Sequence, residues 1–215
     1  DCEVIIHLYL KYGIHTAVSM LDGVFSFLLY DHINNMIHCS RDPFGVRPLY
    51  YLNYYNNEHK NVLGFSSELK SLSSILMTHY PNIEETNKYI SQFPPGYIYT
   101  FSKNETKWYK SNEIQYYTIP YPTSIINSYS SDELITTRKN ICKYLNYAVR
   151  KRVIETSDRP IACLLSGGLD SSLIAALVSK YYDKQLETYS IGMKGSEDLK
   201  YAKLVAEHIN SKHHE

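Results

Sequence analysis

Apolar positions at the start of the chain fall at helical spacing. Val4, Ile5, Leu8, Tyr9 and Tyr12 recur every three or four residues, and Gly13 follows as a stop. Asp1 stands where an N-cap would stand. The pattern then changes. "VFSFLLYD" reads as a buried strand, "HINNM" as a turn at Asn34-Asn35, and Ile37 to Arg41 as a second strand. "RDPFGVRPLYYL" mixes turn residues with a third strand around Leu49 to Leu52. "NVLGFSSELKSL" predicts a strand and then a helix start, capped by Ser66 or Ser67 with Glu68 in the first turn. "FPPGYIYTF" is a Pro-Gly turn into another strand.

Ile119 to Ser130 carries two prolines and no clear period, so it reads as a linker. Ser130 and Glu133 then offer a capping box, and Leu134, Ile141, Leu145 and Ala148 continue one helical face. After Pro160 the order becomes strand, loop, helix, strand, helix. The predicted strands are Ile161 to Leu165 and Glu187 to Ile191. The predicted helices are Ser172 to Tyr181 and Glu197 to Ile209. Continuous apolar strands alternating with helices imply a parallel sheet covered on both faces. The expected fold class is therefore α+β and then α/β.

Composition narrows the function classes. The 215 residues are 44% hydrophobic and 20% charged, enough to bury a core. Formal net charge is zero, so no basic excess steers the chain to nucleic acid or an anionic membrane. The apolar run from Val24 to Tyr30 is too short to span a bilayer. Cys2, Cys39, Cys142 and Cys163 have no zinc-like spacing and read as reduced, mostly buried thiols of a cytoplasmic protein. Asp1 in place of Met, and a helical pattern running toward Glu215 without an ending signal, lead us to expect an internal fragment.

The chemistry concentrates in "LLSGGLDSS", Leu164 to Ser172. The segment follows a predicted buried strand and opens a helix, the place where ligands bind in open α/β sheets. Gly167 and Gly168 allow positive φ and close backbone approach. Successive N–H groups in such a turn form an anion nest, and the helix start adds its positive dipole end. Ser166, Ser171 and Ser172 can donate to phosphate oxygens. No Lys lies in the loop, so it is not a Walker A loop. Asp170 beside a phosphate calls for a bridging cation, most simply Mg²⁺. The bland alternative is a Gly-rich turn with Asp170 as N-cap.

"SGGLDSS" resembles the PP-loop of the ATP pyrophosphatases, which cleave ATP to AMP and pyrophosphate. "TYSIGMKGSEDLKYAKLVAEHINSKHHE" is similar to the next segment of asparagine synthetases and their β-lactam synthetase relatives. "RDPFGVRPLYY", "GFSSELKSL" and "FPPGYIYTF" are similar to marker segments of class II (Ntn-type) glutamine amidotransferase domains. A phosphoribosylpyrophosphate amidotransferase carries a segment close to the first of these, and the PP-loop decides between the two families.

The resemblance to the glutamine-hydrolysing asparagine synthetase family implies part of an Ntn-type αββα amidotransferase domain over 1–118. A linker over 119–130 would follow, and then the start of a parallel-sheet PP-loop (adenine nucleotide α-hydrolase-like) domain over 131–215. In that family, aspartate attacks the α-phosphorus of ATP, and ammonia from glutamine displaces AMP. The implied small-molecule partners are glutamine, aspartate and ATP, with Mg²⁺, without nucleic acid or membrane; a homodimer is allowed. By the same resemblance, Ser166, Gly167, Gly168, Ser171 and Ser172 hold the pyrophosphate end of ATP, and Asp170 is the Mg²⁺ ligand. Leu164 and Ile191 match strand ends beside the adenosine, and both also suit a sheet core. Asp1 matches the acid that grips the glutamine α-ammonium, or serves as a helix N-cap.

Cys2 lies inside the helical pattern and does not match the family's nucleophile, which is followed by Gly and stands well upstream. No catalytic residue is therefore expected within these 215 residues, and the bare chain is expected to be inactive in both half-reactions. Arg41, Asp42 and Arg47 read as a salt-bridged turn. His208, His213 and His214 do not form a metal motif. Ser196, Glu197 and Asp198 read as a cap with first-turn acids, with a functional role for Asp198 left open. Two other readings stand beside the synthetase: a β-lactam synthetase-like AMP-forming ligase, and a non-catalytic nucleotide-binding remnant.

Overall fold

The computed structural model describes residues 2–55, 61–80, 88–105, 107–119, 130–156, 159–193 and 195–215. Asp1 lies outside them, as does the linker expected over 119–130 except for Ile119 and Ser130. The chain divides into two compact units, Asp1–Thr123 and Ser124–Glu215.

The first unit is built around two antiparallel sheets. One has strand order β1-β2-β6-β7, from Ser26–Asp31, Met36–Arg41, Tyr97–Lys103 and Trp108–Gln115. The other has order β4-β3-β5, from Asn61–Ser66, Tyr50–Tyr55 and Ile90–Gln92. Cys39, Leu49, Phe93, Tyr99 and Phe101 form the core between them, with Tyr51 and Phe65 of the second sheet against Phe101. Alternation along the strands builds the outer layers. Leu52 and Tyr54 face helix α2 (Leu69–His79) through Leu72 and Leu76. His38 and Thr100 face helix α1 (Glu3–Met20), where His38 meets Tyr9. The layers run helix, sheet, sheet, helix, compatible with an Ntn amidotransferase domain.

Several local expectations change. Gly13 takes φ +76° and breaks α1 into two helical stretches, but the chain resumes its helix after it instead of stopping. The N-cap of α2 is Glu68; Ser66 only accepts the Glu68 amide at 3.1 Å. Strands β5 and β7 had no clear signature. The first is three residues long, and the second is mostly exposed and polar, so neither shows an apolar stripe.

Arg41 and Asp42 do not form the expected salt-bridged turn. The Arg41 guanidinium donates to the carbonyls of Gly45, Arg47 and Phe93 at 2.6–2.7 Å. The Asp42 carboxylate accepts from the amides of Phe44, Val46 and Arg47 at 3.0–3.1 Å. Both side chains are buried and are consumed by backbone groups of the 42–47 turn and its neighbour. Asp42→Ala leaves three amides without an acceptor. It should lower the stability of the first unit by about 3 kcal/mol in urea unfolding, with Asp42→Asn losing less.

A directed chain of hydrogen bonds ties α1 to its sheet. Tyr9 donates to Asp31 Oδ2 at 2.6 Å, so its oxygen accepts from His38 Nε2 at 3.3 Å, and His38 Nδ1 accepts from Thr100 at 3.0 Å. Burial, and then the Asp31 bond, push the Tyr9 phenol up to about 12. The Tyr9 bond and two from Asn34 hold Asp31 far below the usual carboxylate range. Burial pulls His38 below the ordinary histidine value, against the opposing pull of Asp31. A depressed histidine binds more protons unfolded than folded, so stability falls as pH drops through about 6.5. Between pH 7.5 and 5.5 the parent should lose stability by at most about 1.4 kcal/mol per pH unit on this account. His38→Gln should flatten that loss in unfolding curves at the two pH values.

The second unit holds a three-stranded parallel sheet of order β10-β9-β8, from Lys212–His214, Glu187–Tyr189 and Ala162–Leu164. Helix α3 (Ser131–Glu155) opens with the expected capping box, Ser130 with Glu133. It packs through Val149 and Val153 against Val178 of α4 (Leu169–Tyr181) and Leu186. Ala175 of α4 meets Ala202 and Ala206 of α5 (Glu197–His208) over Leu165. Strand β10 was not expected, since three polar residues carry no apolar pattern. Leu134 and Ile141, on the expected apolar face of α3, are exposed within the described residues. The expected cover on both sheet faces is also incomplete there. Leu164 is 84% exposed and shares its face with the stacked rings of Tyr189 and His214.

Candidate functional site

The loop between β8 and α4 lies at the carboxyl edge of the parallel sheet. Helix α4 begins at Leu169, three residues earlier than expected, with Gly168 as its N-cap. Asp170 and Ser171 therefore sit in its first turn instead of in the loop. A carboxylate there is favoured by the helix dipole.

The two glycines do different work. Gly167 has φ +80°, whereas Gly168 has φ −71° and ψ 165°, a conformation open to any residue. A Cβ on Gly167 would lie 2.5 Å from the Ala202 amide nitrogen and 2.6 Å from Tyr201 Cβ. The close backbone approach expected at this glycine is thus to helix α5. At Gly168 the nearest atom would be Ser166 Oγ at 3.5 Å, so this residue carries no such constraint.

Ser166 and Ser171 tie the loop to the helix. Ser171 Oγ lies 2.9 Å from Ser166 Oγ, accepts the Ser166 amide at 3.3 Å, and can donate to the Gly168 carbonyl at 3.2 Å. Ser172 Oγ is buried with no hydrogen-bond partner. Asp170 is exposed, and no described residue pairs with it. A free carboxylate beside hydroxyl oxygens is the hard-oxygen donor set that suits Mg²⁺.

A cavity of about 370 Å³ opens beside this loop. Leu164, Ser166 and Ile191, all expected site residues, line it together with Tyr189, Ser190 and Asp198. Ile191 is fully exposed and Leu164 nearly so among the described residues. Gly167, Gly168, Asp170, Ser171 and Ser172 adjoin the cavity through the loop but do not line it. Asp198 reaches it from the first turn of α5, where Ser196 is the N-cap by backbone geometry without a side-chain bond. Ser190 had no sequence signal, because its place depends on strand pairing. Asp1, the expected glutamine-binding residue, lies outside the described residues. The cysteines are not mostly buried as expected: Cys2, just before α1, and Cys142 are exposed, Cys163 is half-buried, and Cys39 is buried in the sheet core.

The asymmetry of the glycines is testable. Gly167→Ala meets both a strained φ and the α5 backbone and should destabilise the second unit by about 2–5 kcal/mol. Gly168→Ala should leave the unfolding midpoint within about 0.5 kcal/mol of the parent. Equal effects in paired denaturation curves would contradict this packing.

Comparison with known proteins supports both units. Residues 1–111 match the family model described as "Glutamine amidotransferase domain", and residues 140–215 match that described as "Asparagine synthase". The chain is 38% identical over 226 residues to "Asparagine synthetase [glutamine-hydrolyzing]" of Gallus gallus. It is 35% identical over 227 residues to the human protein of that name, and 35% over 224 residues to that of Sandersonia aurantiaca. Each alignment covers 100% of this chain but only 37–38% of the relative, so the chain spans well under half the length of these relatives. The chain belongs to the glutamine amidotransferase domain family and continues, from residue 140, into a segment that matches asparagine synthase.

Proposed function

We propose that this chain is part of a glutamine-hydrolysing asparagine synthetase, an AMP-forming carbon–nitrogen ligase. It contributes amidotransferase structure from residues 1–118 and the first ATP-binding segment of a PP-loop domain from residues 131–215. The observation that carries the reading is the loop 166–172, set between a parallel strand and a helix N-terminus beside a cavity that gathers Leu164, Ser166, Ile191 and Asp198.

In this reading ATP lies at the carboxyl edge of the sheet. Leu164 and Ile191 flank the adenosine. Ser166, Ser171 and Ser172, with the Gly167 and Gly168 backbone and the amides opening α4, hold the pyrophosphate end. Aspartate's carboxylate attacks the α-phosphorus, pyrophosphate leaves, and ammonia from glutamine then displaces AMP to form asparagine. These residues orient the leaving group and keep it in place, so their contribution is positional and electrostatic. Asp170 is the residue that would hold Mg²⁺, which supplies charge neutralisation on the departing pyrophosphate. Asp1 would meet the α-ammonium of glutamine in the first unit.

The readings of a β-lactam synthetase-like ligase and of a nucleotide-binding remnant share this loop. The relatives named above favour the asparagine synthetase. Asp170→Ala should weaken Mg·ATP binding by this chain about tenfold, while binding of ATP in excess EDTA changes little. In a longer parent enzyme the same change should abolish ATP-dependent pyrophosphate release and asparagine formation. Unchanged Mg·ATP affinity and turnover would sink the assignment of Asp170.

A further inference from the structure

The helix-covered face of the parallel sheet carries a line of polar side chains that no part of the proposed reaction uses. His213, on the outer strand β10, is only 12% exposed at its side chain. Its Nδ1 lies 2.9 Å from Thr188 Oγ1 and its Nε2 lies 3.4 Å from Ser190 Oγ, both just across on β9 or its extension. Thr188 is fully buried, and its Oγ1 also lies 2.9 Å from Ser211 Oγ, which is 3.3 Å from the Ala206 carbonyl oxygen. At the far end, Ser190 Oγ donates to the Leu165 carbonyl.

The donors can be assigned. A carbonyl only accepts, so the single hydroxyl proton of Ser190 goes to Leu165. The Ser190 oxygen must then accept from His213, which makes Nε2 the protonated nitrogen whatever the state of Nδ1. With Nδ1 bare, Thr188 donates to it, and Ser211 then gives its proton to Thr188. The line therefore runs from the α5–β10 turn, through Thr188, His213 and Ser190, to the backbone of Leu165. Leu165 is the last buried residue before the phosphate loop, and its amide is held by the Tyr189 carbonyl at 2.8 Å. Its carbonyl orientation sets the peptide plane that carries the Ser166 amide.

We propose that His213 is a positioning residue for the loop 166–172: through Ser190 it fixes the Leu165–Ser166 peptide and so aims the loop at the pyrophosphate end of the nucleotide. It touches neither substrate nor metal. The proposal rests on the reading of 166–172 as a phosphate loop.

The test compares the 215-residue chain with His213→Phe, His213→Gln, Ser190→Ala and the His213→Phe/Ser190→Ala double variant. Each is titrated with Mg·ATP and with inorganic pyrophosphate, and amide hydrogen exchange over residues 164–172 is followed without ligand. Gln keeps an N–H within reach of Ser190. His213→Phe and Ser190→Ala should each weaken both ligands about tenfold and speed exchange across the loop by a similar factor. His213→Gln should stay within about twofold of the parent, and the double variant should be no worse than either single change.

The proposal is overturned if His213→Phe binds and exchanges like the parent. It is overturned equally if Gln is as damaging as Phe, or if the two single effects add. Should the parent bind neither ligand, the phosphate-loop reading fails, and loop exchange alone then decides whether His213 positions this segment. Should His213→Phe not fold, Ser190→Ala against His213→Gln makes the same comparison.

Discussion

The backbone of Gly167 lies against the backbone of Tyr201 and Ala202, with no room for even a methyl group between them. That contact holds the second unit's working end together. It brings the turn after β8 onto the first half of α5, and it places Asp198 and Leu199 of α5 on the wall of the same cavity as Leu164 and Ser166. Small residues continue the approach. Ala175, Ala202 and Ala206 are fully buried, so α4 and α5 come together over Leu165 without a bulky side chain between them. The glycine that reads as an opening for a ligand is first a seat for a helix.

The first unit solves a different problem. Two small antiparallel sheets must face each other, and their facing sides are filled mostly by aromatic rings at edge-on or tilted angles. The turn over residues 42–47 would leave several amides and carbonyls unsatisfied beneath this core. Arg41 and Asp42 satisfy them, one as a fork of donors and the other as a pair of acceptors. Their charges are used against backbone dipoles rather than against each other, which suits side chains with almost no access to water.

The proposed chemistry uses the open end of the parallel sheet. Strands that run the same way put all their carboxyl ends on one edge, so one loop and two helix starts converge there. The side chains of that edge fall into two sets. Leu164, Ile191 and Asp198 line the cavity, His213 and Thr188 lie beneath it, and Ser190 joins the two, lining the cavity and donating to the Leu165 carbonyl. A group can therefore set the geometry of the loop without reaching the ligand.

Residue order alone determined the strand–loop–helix context of Ser166 to Ser172, the capping box of α3, the hairpin at Asn34-Asn35, and the change from an antiparallel to a parallel half. Each of these is written locally, in periodicity, turn residues or caps. The same locality explains what escaped. Strands β5 and β10 are three residues long and take their form from partners far along the chain. Which glycine needs a positive φ, what Gly167 packs against, and which groups Arg41 and Asp42 bind are all matters of distant contact. Tertiary structure alone decided that His213 reaches toward the loop. The 25 residues that separate it from Thr188 vanish only when two parallel strands are laid side by side.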